Sequence, residues 1–110
     1  MELRHKCREL AYLILNSIAS ILTPHTERLT EPFNVSDPNI PDYSRSKVVR
    51  YPPIKEFEPG SLGVGAHKDG GGITVLAVDA PGLQVQTWSG DWIDAVPKPY
   101  SVVINIGQTM

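Results

Sequence analysis

The chain has 110 residues, 41% of them hydrophobic and 20% charged, enough for one small globular domain and no more. Its formal net charge of -2 leaves no electrostatic case for a nucleic acid or an anionic membrane as partner. The single cysteine, Cys7, excludes an internal disulfide and suits a reducing compartment. No run approaches the roughly eighteen apolar residues of a membrane span, and the N-terminus has no signal-peptide pattern, so a cytoplasmic location is expected.

The first segment reads as a helix. From Glu2 to Leu22 the residues Leu3, Cys7, Leu10, Ile14, Ile18 and Ile21 recur at three- and four-residue steps, the apolar face of an amphipathic helix. The charges of its first turns form the solvated side, Cys7 is expected to pack as a core thiol, and Pro24 is expected to stop the helix. Residues 24–45 hold Pro24, Pro32, Pro38 and Pro41 among small polar residues and read as a Pro-rich connecting loop, long for a compact domain.

From residue 46 the texture changes to short strands. Lys47 to Tyr51 is β-branched and aromatic and closes on Pro52-Pro53. Ile73 to Val78 is a second strand, followed by a turn at Asp79-Ala80-Pro81-Gly82. Leu83 to Gln86 alternates, Ser89-Gly90-Asp91 turns the chain, Trp92 to Val96 continues, and Tyr100 to Ile106 forms a last apolar strand. Trp88 and Trp92 flank the turn and are expected to cover the edge of a barrel. Strands this short and closely spaced, with Gly and Pro turns between them, indicate a sandwich or barrel. The expected organisation is an N-terminal helix over residues 1–23, the connecting loop over 24–45 and a mainly β domain over 46–110.

Chemistry concentrates in Gly63-Val64-Gly65-Ala66-His67-Lys68-Asp69-Gly70-Gly71-Gly72. On an extended strand His67 and Asp69 would leave the same face, about 6–7 Å apart at the Cα level. A metal ion can bridge that gap between an imidazole nitrogen and a carboxylate oxygen. With a second histidine, such a pair makes the 2-His-1-carboxylate face of non-haem Fe(II) sites, which leaves open positions for other ligands. Lys68, between them, is expected on the opposite face. By itself His-x-Asp more often marks a hydrogen-bonded structural pair in a turn, so its surroundings must decide. His5 on the helix and His25 in the loop read as solvated surface residues.

Those surroundings are specific. The run Gly63 to Asp69, the strand Ile73-Thr74-Val75-Leu76, then Gly82-Leu83-Gln84-Val85, Gly90-Asp91-Trp92-Ile93 and Val103-Ile104-Asn105-Ile106-Gly107 resemble consecutive motifs of the isopenicillin N synthase-like 2-oxoglutarate/Fe(II) oxygenases, in that family's order and near its spacing. Arg50-Tyr51-Pro52-Pro53 resembles the strand end before the family's metal strand. The resemblance covers most of the chain and is most specific from Val48 to Gly107. It implies a double-stranded β-helix (jelly roll), incomplete here, with His67 and Asp69 as metal ligands and Tyr51 placing co-substrate or substrate. It further implies Fe(II) and 2-oxoglutarate as cofactors. A small organic substrate and O₂ would be the partners, and the reaction hydroxylation, desaturation or ring closure.

Three features depart from the family. Many members carry asparagine where Val49 stands. The motif that ends Gly-Asp in the family reads Gly107-Gln108. The family's second metal-binding histidine, and the arginine-serine pair that holds 2-oxoglutarate, would fall beyond Met110, so the chain is expected to be a fragment. Two other readings stay open: an Fe(II) oxidase without 2-oxoglutarate, which Arg50-Tyr51-Pro52 favours, and a non-catalytic truncated jelly-roll domain.

Overall fold

Local periodicity gives one element its extent, though not its buried face. The computed structural model describes residues 2–22, 38–39, 44–51 and 60–110, and helix α1 spans Glu2–Leu22. It ends short of Pro24, as the restriction on residues before a proline requires. Glu2 sits in its first turn, where a carboxylate complements the helix dipole, and also pairs with Lys6 at 2.8 Å, one turn on. Both side chains are exposed, so this pair adds only a few tenths of a kcal/mol. Within the first unit the Arg4 guanidinium donates to the Ser44 hydroxyl and carbonyl, at 3.1 and 3.3 Å, tying the helix to the segment before Tyr51.

The buried stripe of α1 is narrower than the expected face and turned slightly around the helix. Leu15 and Ala19 are its buried residues, at 3% and 0% exposure, one turn apart. Leu10, Ile14 and Ile18 are half-buried beside them, as is Cys7. Leu3 and Ile21, placed on the core face from spacing alone, are 72% and 83% exposed. They sit near the two helix ends.

The chain divides into two compact units, residues 1–68 and 69–110. Among the described residues the strands fall in the second: β1 Ile73–Leu76, β2 Gln84–Gln86, β3 Trp92–Asp94 and β4 Val103–Ile106. They form two antiparallel pairs, β1 with β4 and β2 with β3. In the first pair Ile73, Val75, Ile104 and Ile106 share one face, while Thr74, Leu76, Val103 and Asn105 share the other. The second pair is a hairpin. Thr87 N–H donates to the Asp91 carbonyl at 2.8 Å, and Gly90 turns the chain with φ 94, a left-handed value that suits glycine. The Gln84 amide donates to the Asp94 carboxylate across the strands at 2.9 Å.

All four strands are shorter than their sequence patterns. Two expectations are corrected outright. Lys47 to Tyr51 has strand composition but no ladder, because β-propensity is realised only against a partner strand and none is present among the described residues. Trp88 covers no edge, being wholly exposed at the hairpin tip, while Trp92 is about half exposed. Pro24, His25 and most of the Pro-rich loop, with Pro52 and Pro53, lie outside the described residues. Among the described residues the architecture is thus one helix and a few antiparallel strands.

Candidate metal centre

Asp69 sits where an irregular, glycine-rich segment runs into β1. The expected extended strand through His67 and Asp69 does not form; regular structure starts at Ile73. Gly63, Gly65 and Gly70 to Gly72 explain this, since glycine has no side chain to pack in a ladder and loses the most backbone freedom when ordered. Shared strand face is therefore not what organises these two residues.

Tertiary bonds to the sheet organise Asp69 instead. The Thr74 hydroxyl donates to Asp69 Oδ2 at 2.6 Å, and the Asn105 amide donates to the same oxygen at 2.7 Å. Thr74 and Asn105 are register partners across β1 and β4, so their side chains leave one face side by side. Both bonds are short, as expected for donors to a charged acceptor.

The main chain is held from the same side. Gln108 N–H donates to the Asp69 carbonyl and Gly107 N–H to the Gly72 carbonyl, each at 2.9 Å, while the Thr109 hydroxyl donates to the Gly70 carbonyl at 2.8 Å. The segment after β4 therefore clasps the loop that carries the carboxylate. Gly107 permits this approach, because a Cβ there would run into the Gly71 carbonyl oxygen.

His67 is exposed, and its Nδ1 lies 3.0 Å from the Gly65 carbonyl. A carbonyl only accepts, so this bond requires Nδ1–H and in the neutral ring puts the lone pair on Nε2. Metal-bound histidines are commonly oriented by such a bond from the other ring nitrogen. Lys68 is exposed. The boundary between the two units falls between Lys68 and Asp69, so imidazole and carboxylate belong to different units.

Tyr51, in the first unit, lies against Gly63 upstream of His67. A Cβ on Gly63 would come within 2.7 Å of the tyrosine ring. This side chain is 58% exposed.

Taken singly, each donor is of a type that suits Fe(II): in the first unit an imidazole whose Nδ1 is hydrogen-bonded, and in the second a carboxylate carrying its own hydrogen-bond donors. No cluster of three or more His, Cys, Asp or Glu residues that could hold a metal occurs among the described residues. His5 lies 3.3 Å from Glu9 on an exposed helix turn.

Thr74, Asn105 and Gly107 were not singled out by the sequence reading as site residues. A usable signal existed. Asparagine is disfavoured in strands, and Asn105 sits between Ile104 and Ile106, so a half-buried amide there needs a partner.

Comparison with known proteins places the chain among its relatives. Residues 43–110 match the model of the 2OG-Fe(II) oxygenase superfamily. A 2-oxoglutarate-dependent dioxygenase of Monascus ruber is 32% identical over 107 residues, covering 93% of this chain and 31% of that protein. A homoarginine-6-hydroxylase of Glycine max is 33% identical over 116 residues, covering 94% and 32%. A 1-aminocyclopropane-1-carboxylate oxidase of Persea americana is 32% identical over 108 residues, covering 96% and 33%. The chain thus spans about a third of the length of these relatives. No solved structure matches it. With the family model covering the segment that holds Asp69, Thr74 and Asn105, and with the resemblance read from the same motifs, the chain belongs to the 2OG-Fe(II) oxygenase superfamily, in its isopenicillin N synthase-like branch of 2-oxoglutarate-dependent dioxygenases.

Proposed function

We propose that this chain carries the first two metal ligands of a 2-oxoglutarate-dependent oxygenase, His67 and Asp69, on a partial jelly roll that begins near residue 46. The observation that carries the reading is the Asp69 carboxylate, oriented from the sheet by the Thr74 hydroxyl and the Asn105 amide. Carboxylates that serve as metal ligands are typically hydrogen-bonded in this way. The family match from residue 43 onward supports it.

Bound Fe(II), with 2-oxoglutarate and O₂, supplies the oxidising chemistry that hydroxylates, desaturates or cyclises a small organic substrate. The protein's own part is positional. His67 offers Nε2 to the metal while its Nδ1–H holds the Gly65 carbonyl. Asp69 provides the one negative protein ligand. Tyr51, braced on Gly63, offers its hydroxyl to co-substrate or substrate. No helix among the described residues is long and apolar enough to cross a membrane, and the single cysteine agrees with a cytoplasmic setting.

The test is Fe(II)- and 2-oxoglutarate-dependent succinate release by the full-length gene product that carries these residues. His67→Ala and Asp69→Ala are each expected to lower activity well over tenfold, since even losses behind the ligands cost about 10–100-fold. Lys68→Ala should retain most of it. Near-normal turnover by either ligand variant would remove the metal assignment. Oxygen consumption that persists unchanged without 2-oxoglutarate would favour an oxidase, a reading to which the Persea americana relative's name lends weight.

A further inference from the structure

We infer that Thr74 and Asn105 act together as positioning residues for Asp69, holding its carboxylate through Oδ2 in the orientation that ligation needs. The inference rests on the proposed role of Asp69 as a ligand. An aspartate side chain ends in a torsion that is broad and roughly two-fold, so a carboxylate on a glycine-rich segment has no intrinsic reason to aim one way. Here two donors from opposite strands meet on one oxygen, at 2.6 and 2.7 Å. Because those donors are register partners in a hydrogen-bonded pair, neither can shift without disturbing the ladder.

The placement of the two polar residues points the same way. Thr74 lies between Ile73 and Val75, and Asn105 between Ile104 and Ile106. All are half-buried except Ile106. Strand preference alone would put no asparagine there. The backbone of Asp69 is tied to the residue pair just after β4 by the bond from Gln108 N–H. The main chain thus takes its position from the end of β4, and the carboxylate from β1 and β4 together.

Two effects of the donors oppose each other at the metal. Hydrogen bonds draw charge from the carboxylate and weaken it as a ligand, whereas a fixed orientation removes the ordering cost of binding. Losses of such supporting bonds lower metal affinity by about 10–100-fold, so orientation is the larger effect. A purely structural pair that only closes the loop would act differently. Its loss would lower stability and leave the affinity of the folded protein unchanged.

Titration of the full-length gene product with Mn(II), followed by electron paramagnetic resonance, separates these cases. Mn(II) shares the preference for carboxylate and imidazole and is stable in air. Thr74→Val keeps the shape and removes the hydroxyl; it should weaken Mn(II) binding about tenfold or more. Thr74→Ser restores the donor and should restore affinity, the outcome a packing role does not predict. Asn105→Leu should weaken binding by a similar factor. Val103→Ala, on the same face of β4, should lower the thermal midpoint and leave affinity alone. Should Asn105→Leu fail to fold, the Thr74→Val and Thr74→Ser pair decides. Asp69→Ala is the reference. If it binds Mn(II) as well as the parent, the ligand reading fails and this inference with it. If Asp69→Ala loses the metal while Thr74→Val binds normally, or if Thr74→Ser is as weak as Thr74→Val, the ligand reading stands and the positioning role is wrong.

Discussion

Gly107 is the residue on which the geometry around Asp69 depends most directly. Its backbone conformation is not left-handed, so the need for glycine is one of space. A Cβ would meet the Gly71 carbonyl, and the Asp69 carbonyl oxygen would lie only 3.0 Å away. Gly107→Ala is expected to lower stability by roughly 1–3 kcal/mol, the range for overpacking a tight contact. Mn(II) affinity should fall with it, because the clasp that displaces is the one holding the Asp69 loop. Urea denaturation of the apo protein with a parallel metal titration checks both; an unchanged midpoint would show that the loop yields without penalty. His67 and Asp69 were nominated as a pair by the motifs that surround them, since their spacing alone more often marks a structural pair. Thr74 and Asn105 were not, since their meeting on one oxygen depends on a pairing between segments far apart in the chain.

At the level of elements, the helix was legible and the strands only partly so. Helical periodicity is a property of one segment, and α1 covers the residues that the pattern marks. Which face it buries was read less well, because Leu15 and Ala19 are selected by neighbours and not by spacing. Leu15→Ala should therefore cost about 2–5 kcal/mol, as for other leucines in cores. Leu3→Ala, at an exposed site, should stay within about 0.5 kcal/mol. Helical circular dichroism followed through a urea titration distinguishes them, and equal effects would mean that the helix is held by its other face. The strands differ because a strand is stabilised only by the partner it finds. Lys47 to Tyr51 shows the consequence, having the composition without a ladder among the described residues.

On the scale of the whole molecule, the described β structure consists of two two-stranded pairs. Isolated pairs of this size are marginal in water, and their outer edges present unpaired backbone groups to other chains. Val85 and Ile93, partners in the hairpin, are both exposed, as is Trp92 beside them. The 110-residue polypeptide on its own is expected to self-associate at micromolar concentration. Multi-angle light scattering checks this, and a sharp monomer peak with a cooperative thermal transition would contradict it.

The sequence by itself determined the helix, the approximate positions of the four strands and the family. These rest on local periodicity, on turn residues and on the order of motifs along the chain. Tertiary structure alone decided how the candidate ligand is held. The register that sets Thr74 opposite Asn105 joins residues separated by most of the second unit, and the approach of Gly107 to Gly71 depends on that register. A carboxylate's orientation follows from where its donors are. Donor positions follow from strand pairing, which no single segment encodes.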